Sequence, residues 1–264
     1  MENSSVELGL GLLSIGREWG VVSGQPPPEA DAERLLETAI ALGIRFFDTA
    51  PAYGDSEAIF GRFLRQVDRV VARNLIVATK CGIHWDVELQ KDYDDHSYDA
   101  LCRSIDQSAS RLPRIDVLQL HRASVEAIAS PDVRKAFEYA QSIGIKQFGV
   151  SVKDVPAAQL AIADDLFGYI QFPMNAKYTP MEVVIHAANA SGKQILVNRP
   201  YSMGALLYDD DRQLKLNSVR QSSFEFILKR RFAGYVLTGT KSPDHLRENV
   251  EAFRDAAVAV ASGG

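Results

Sequence analysis

Cysteine is almost missing from this chain: Cys81 and Cys102 are the two thiols among 264 residues. Two thiols build no disulfide framework and suit a reducing compartment. Long apolar runs are missing too, so no bilayer span is expected. The opening Met1-Glu2-Asn3-Ser4-Ser5 lacks the charged and apolar regions of a signal peptide. Cytoplasmic localisation and no membrane partner are the expectation. There is no basic surplus. A net charge of −5 and a pI near 5.6 argue against a nucleic-acid or anionic-membrane surface. Neither His84 nor His96, read as solvated loop residues, pairs with other ligands at metal spacing, and no metal site is expected. Finally, a phosphate-binding glycine loop is lacking. Gly9-Leu10-Gly11-Leu12-Leu13-Ser14 approaches the dinucleotide fingerprint, with Asp31 about 20 residues on, but its third glycine is absent. Its glycines lie within a strand rather than opening a helix, which disfavours a doubly wound open sheet.

What is present is a core and a rhythm. Hydrophobic residues make up 46% and charged residues 24%, enough apolar material for a globular interior. The patterning predicts strands at Val6–Ser14, Ile44–Asp48, Leu75–Lys80, Asp116–His121, Gln147–Ser151, Tyr169–Phe172, Ile195–Arg199 and Tyr235–Gly239. Between and after them it predicts helices at Glu29–Leu42, Ser56–Asp68, Tyr98–Arg111, Asp132–Ile143, Pro156–Ala163, Met181–Ser191, Val219–Arg231 and Pro243–Ser262. Eight strand-then-helix units with mostly short connections predict an α/β fold, a (β/α)8 TIM barrel spanning 1–264 as one domain. No linker or low-complexity tract divides the chain, and the acidic run Asp209-Asp210-Asp211 reads as a solvated turn.

In such a barrel every strand ends on one face, and that face carries the chemistry. Polar or ionisable residues end six successive strands here: Asp48, Lys80, His121, Ser151, Gln171 and Arg199. The last strand ends at Gly239, and Tyr53 stands in the breaker-rich loop just past Asp48, between Pro51 and Gly54. Taken singly, Asp48 reads equally as a helix cap, Tyr53 as a packed aromatic, Lys80 as a salt-bridge partner and His121 as structural. Together they form a set with a chemical logic. A free phenol, with a pKa near 10, is a weak acid at neutral pH. An ammonium beside it favours the phenolate, a carboxylate keeps that ammonium charged, and an imidazole can orient a carbonyl oxygen. The set can protonate a carbonyl oxygen while a hydride, which no side chain supplies, arrives at its carbon.

The sequence around these residues resembles the aldo-keto reductases. Phe47-Asp48-Thr49-Ala50-Pro51-Ala52-Tyr53-Gly54 matches the first signature of that family. Val77-Ala78-Thr79-Lys80 matches its lysine strand, and Leu118-Gln119-Leu120-His121 its histidine strand. Gly239-Thr240-Lys241-Ser242-Pro243-Asp244-His245-Leu246-Arg247-Glu248-Asn249 resembles the segment that grips the cofactor's adenosine phosphate. The resemblance runs in order over nearly the whole chain. It implies a barrel binding NADP(H), with NAD(H) as the alternative, and a catalytic tetrad Asp48, Tyr53, Lys80, His121. Carried over residue by residue, Ser151 and Gln171 would serve the cofactor's carboxamide end and Arg199 the nicotinamide and pyrophosphate. Gly239, Lys241, His245, Glu248 and Asn249 would serve the adenosine half.

The chain also departs from the pattern. Val152 stands where many relatives have asparagine, and His245 where many have the arginine that meets the 2′-phosphate, leaving Lys241 as the nearby cation. Chain length and the brief stretch after His121 predict an open substrate pocket. Trp19 and Trp85, which follow the first and third strands, are read as its walls, and Cys81 as an ordinary packed thiol. The expected activity is interconversion of an aldehyde, ketone or sugar carbonyl and its alcohol. Two alternatives stay open: a lyase or aldolase using Lys80 as a Schiff-base amine, or a non-catalytic NADP(H)-binding regulatory barrel.

Overall fold

The computed structural model describes residues 6–19, 24–86, 91–207 and 216–263. In chain order the strands are β1 (Val6–Gly11), β2 (Phe46–Asp48), β3 (Ile76–Cys81), β4 (Ile83–Asp86) and β5 (Lys91–Asp94). They continue with β6 (Val117–Leu120), β7 (Gln147–Ser151), β8 (Tyr169–Pro173), β9 (Gln194–Asn198) and β10 (Gly234–Gly239). Eight of them close into a barrel in the order β1-β10-β9-β8-β7-β6-β3-β2, every neighbouring pair parallel. The expected (β/α)8 barrel is therefore the fold, with helices outside the strands.

Strand alternation builds both the core and the site. Phe46 points into the barrel and joins Ala78, Val117, Leu196 and Leu237 in an interior cluster, stacked on Tyr235 at 4.3 Å. Phe47, one residue on, points outward against Phe60 of helix Ser56–Gln66, ring centroids 5.1 Å apart. Asp48 then points inward again, because successive strand side chains face opposite sides. The same step of two leads from Ala78 to Lys80, from Val117 to Gln119 and from Tyr169 to Gln171. A polar layer thus lies directly above an apolar one. Gly9 has a steric reason to be glycine: a Cβ there would stand 2.8 Å from Leu237 Cδ2 and 3.2 Å from the Phe46 carbonyl oxygen.

Several boundaries differ from expectation for local reasons. β1 ends at Gly11 rather than Ser14, because the Leu12 amide donates to the Asp48 carbonyl (2.8 Å) and Leu13–Gly16 coils into a helical turn. The helix expected to reach Asp68 stops at Gln66; Asp68 instead caps a short helix, Arg69–Arg73, accepting from the amides of Val70 and Val71. The stretch Met181–Ser191 divides into a 3-10 turn, Pro180–Val184, and helix Ile185–Ala190. The next helix is Leu216–Leu228, ending before Arg231, which adopts φ 45°. β9 stops at Asn198, since Arg199 turns into the left-handed region at φ 57°.

The larger surprise is an antiparallel hairpin, β4–β5, between β3 and the next helix, with Trp85 opposite Asp92. Its second strand, Lys-Asp-Tyr-Asp, has too little apolar alternation to announce itself. His84 and His96 also differ from solvated loop residues. His84 lies on β4 and stacks on Tyr93 at 5.4 Å, while His96 Nε2 lies 2.9 Å from the carbonyl oxygen of His121. The Asp209-Asp210-Asp211 run falls outside the described residues.

Candidate active site

Asp48 and Lys80 are almost wholly buried, at 3% and 1% exposure, and form an ion pair of 2.6 Å between Oδ2 and Nζ. A carboxylate under this much protein needs several donors. Asp48 has three: Lys80 on Oδ2, Gln119 Nε2 on Oδ1 at 2.9 Å, and Gln171 Nε2 on Oδ2 at 3.3 Å. Lys80 also donates to the Thr49 carbonyl at 2.9 Å. Gln119 belongs to this machinery and was not singled out from the sequence. Its signal was available: an amide inside the otherwise apolar Val117–Leu120, in register with Lys80 across the β3–β6 pair.

Tyr53 reaches the same place from a loop. The loop is pinned by the turn Leu13–Gly16, whose Gly16 carbonyl accepts from the Asp55 amide at 3.2 Å. A Cβ on Gly16 would collide with the Tyr53 carbonyl, so only glycine lets the two segments touch. The Tyr53 ring centre lies 4.9 Å from Lys80 Nζ and 5.8 Å from the His121 ring, nearly perpendicular to it at 80°. The four residues of the expected tetrad therefore stand together.

Their titration follows from where they sit. Burial raises the Tyr53 phenol above its ordinary value, and the Lys80 ammonium works against that rise without reversing it. Burial alone would lower Lys80, but Asp48 and then Tyr53 hold it above its ordinary value, so it stays charged. His121 is pushed well below the usual histidine range, first by burial and then by Lys80, Arg122, Lys153 and Arg17. It is neutral at neutral pH and can donate one hydrogen bond without carrying charge. Burial also raises Cys81, whose Sγ points at the Gln119 carbonyl, consistent with an inert packed thiol.

A cavity of about 920 Å³ opens above this floor. Asp48, Tyr53, His121, Ser151, Gln171 and Arg199 line it, as do Gly239, Lys241, His245, Trp19 and Trp85. Val152 also lines the cavity, with its side chain packed into the apolar core. Glu248 and Asn249 are not among the lining residues. Glu248 pairs with Arg220 at 2.7 Å; Asn249 accepts from Tyr201 Oη and donates to Thr238 Oγ1, both at 3.0 Å.

The cavity suits an extended dinucleotide. Gln171 Oε1 and Asn198 Oδ1, both on its wall, are buried acceptors without a partner among the described residues, and a carboxamide N–H₂ would satisfy such atoms. Gly11 and Gly239 face each other across the β1–β10 pair and leave that stretch of wall free of side chains. Beyond them, exposed Lys241 donates to the Gln25 carbonyl at 3.0 Å, beside the start of helix Pro243–Ser262. A cation at a helix N-terminus is a setting that favours phosphate.

The rim carries tryptophan and arginine. Trp19 and Trp85 are 41% and 38% exposed and flank Arg17, whose guanidinium carbon is 5.9 Å and 5.2 Å from their ring centres. Arg199 lies 5.9 Å from the Trp19 ring. Ile83, Trp85, Lys91 and Asp92 of the hairpin form part of the wall.

The chain is similar to known proteins over most of its length. The sequence model of the Aldo/keto reductase family matches residues 7–224. The oxidoreductase YqkF of Bacillus subtilis is 24% identical over 93% of this chain and 86% of its own length. The 6-dehydroglucose reductase of Novosphingobium aromaticivorans is 35% identical, over 53% of this chain and 49% of its own. A Pseudomonas aeruginosa structure assigned to the aldo-keto reductases superposes with a TM-score of 0.78 at 27% identity, covering 95% of this chain and 90% of that one.

Proposed function

This chain belongs to the aldo/keto reductase family, and on that premise we propose that it reduces an aldehyde or ketone with NADP(H), Tyr53 acting as the general acid. The observation that carries the reading is the Asp48–Lys80 ion pair beneath Tyr53, with His121 beside the phenol. The reduced nicotinamide, when bound, supplies the hydride. The chain's own residues do the rest. Neutral His121 donates a hydrogen bond that fixes the carbonyl oxygen. Tyr53, protonated at neutral pH, gives that oxygen its proton as the carbon receives the hydride. The phenolate left behind is stabilised by the charged Lys80, and Asp48 keeps Lys80 charged throughout. In the reverse direction the phenolate takes the alcohol's proton.

Gln171 and Ser151 would hold the carboxamide, Gly11 and Gly239 would admit the backbone of the dinucleotide, and Lys241 with His245 would face the adenosine phosphate. With Lys241 beside the helix start, NADP(H) is the expected preference over NAD(H). Glu248 and Asn249 would act at one remove, by holding Arg220 and the β10 end. Trp19 and Trp85 would form the substrate walls. The Schiff-base reading asks for an amine with a lowered pKa, and the Asp48 ion pair works the other way.

The test is NADPH oxidation against a panel of aldehydes, ketones and sugars, repeated with NADH. Saturable turnover with a lower KM for NADPH is expected. Tight cofactor binding without turnover on any carbonyl would instead identify a non-catalytic regulatory barrel.

A further inference from the structure

The chain as a whole is acidic, with 34 Asp and Glu against 29 Lys and Arg, yet the substrate side of its cavity is not. Arg17, Lys91, Arg122 and Lys153 line that side, facing Glu18 and Asp92, while Asp48 on the floor is already committed to Lys80. Arg17, Arg122 and Lys153 lie close enough to the reacting groups to act on their charge: all three on His121, and Arg17 on Tyr53 as well.

Their partners distinguish them. Arg122 is spent on the hairpin, bound to Asp92 and, at 3.0 Å, to Asp94. Among the described residues Arg17 is not: the nearest carboxylate there, Asp92, is 4.0 Å away, and its Nε is buried with no hydrogen-bond partner. Trp19 and Trp85 hold its guanidinium in place without satisfying that donor. Lys153 sits in a like-charged setting. Burial, then Arg122 and Arg199, hold its pKa below the ordinary lysine range against the weaker pull of Asp94 and Asp92. A neutral sugar or alkyl aldehyde would leave both positive groups uncompensated. An oxyanion would satisfy them, since a guanidinium offers paired donors to planar oxygens and an ammonium a point charge.

We infer that the substrate of this barrel carries an anionic oxygen group, a carboxylate or a phosphate, which Arg17 and Lys153 receive beside the carbonyl that Tyr53 protonates. The inference names the substrate class of the reductase proposed above and rests on that reading.

Two matched pairs test it: 4-carboxybenzaldehyde against methyl 4-formylbenzoate, and glyceraldehyde 3-phosphate against glyceraldehyde. At low ionic strength the charged member of at least one pair should show a KM lower by about tenfold or more, an advantage that shrinks as salt is added. Which pair shows it separates carboxylate from phosphate. Arg17→Gln combined with Lys153→Gln should collapse the KM ratio, and Arg17→Lys should restore part of it. A binding readout stands apart from turnover, because Trp19 and Trp85 are the only tryptophans of the chain and both touch Arg17. Terephthalate or inorganic phosphate should perturb their fluorescence saturably, and far more weakly in the double variant. Equal KM values within both pairs, or a preference that survives the double variant, overturn the inference while leaving the reductase standing. A saturable fluorescence response lost in the double variant, with no carbonyl reduced by either cofactor, keeps the anion site and removes the reductase.

Discussion

Asp48 and Lys80, at the floor of the cavity, form an ion pair of 2.6 Å with side chains 4% and 1% exposed; Arg122, on its rim, and Asp94 of the hairpin form one of 3.0 Å with side chains 32% and 44% exposed. The floor pair is carried by β2 and β3 of a closed sheet and braced by Gln119 and Gln171. The rim pair joins an irregular residue, Arg122 at φ 49°, to a two-stranded hairpin. Water screens the rim and is excluded from the floor, so similar distances carry different consequences. On the function proposed above, the floor would run the reaction and the rim would meet the substrate.

The sharpest way to separate the two regions is to remove one cation from each. Lys80→Met leaves Asp48 buried without its partner, so the fold should lose about 3–5 kcal/mol in denaturant titrations. Turnover should fall by roughly 10²–10⁴, as a positioned acid without its tuning group would. Next in size, Gln119→Leu strips Asp48 of its only hydrogen bond to Oδ1 among the described residues. A loss of about 1–3 kcal/mol in the same titration is expected, with kcat reduced more than KM is raised.

The pH profile of kcat for reduction probes the floor without mutation. If Tyr53 is the acid proposed above, its raised pKa keeps activity present below the ordinary phenol value near 10 and loses it only above that value. His121 is lowered, so it stays neutral through the usual histidine range, and no loss centred near pH 6.5 should appear. A bell centred on neutrality would contradict both assignments. Smallest of all, Arg122→Ala at the rim should change stability by less than about 1 kcal/mol. A larger loss would show that the hairpin pair is not screened by solvent.

The same division explains what the sequence revealed. The alternation Phe46-Phe47-Asp48 states in three residues which side faces the interior, and the strand ends inherit their direction from it. Asp48, Lys80, His121 and Gln171 were legible as positions for that reason, and Tyr53 was legible as a phenol in the breaker-rich loop just past Asp48, where the family signature also has it. Gln119 was legible in principle, as a lone amide in an apolar strand, but a single polar residue there has many readings. The hairpin was not legible, because Lys91–Asp94 has no apolar face and draws its pairing from tertiary placement. Arg17 was hidden for a related reason: its neighbours Trp19 and Trp85 come from segments far apart in the chain. The helix expected to reach Asp68 ended early because Asp68 caps the next one.

The most direct measurement is single-turnover oxidation of bound NADPH by an aldehyde, followed by stopped flow in the unaltered protein and in Tyr53→Phe. Loss of one phenol oxygen should leave the dissociation constant for NADPH unchanged and slow the turnover by about 10²–10⁴. An undiminished rate in Tyr53→Phe would show that the proton comes from another group.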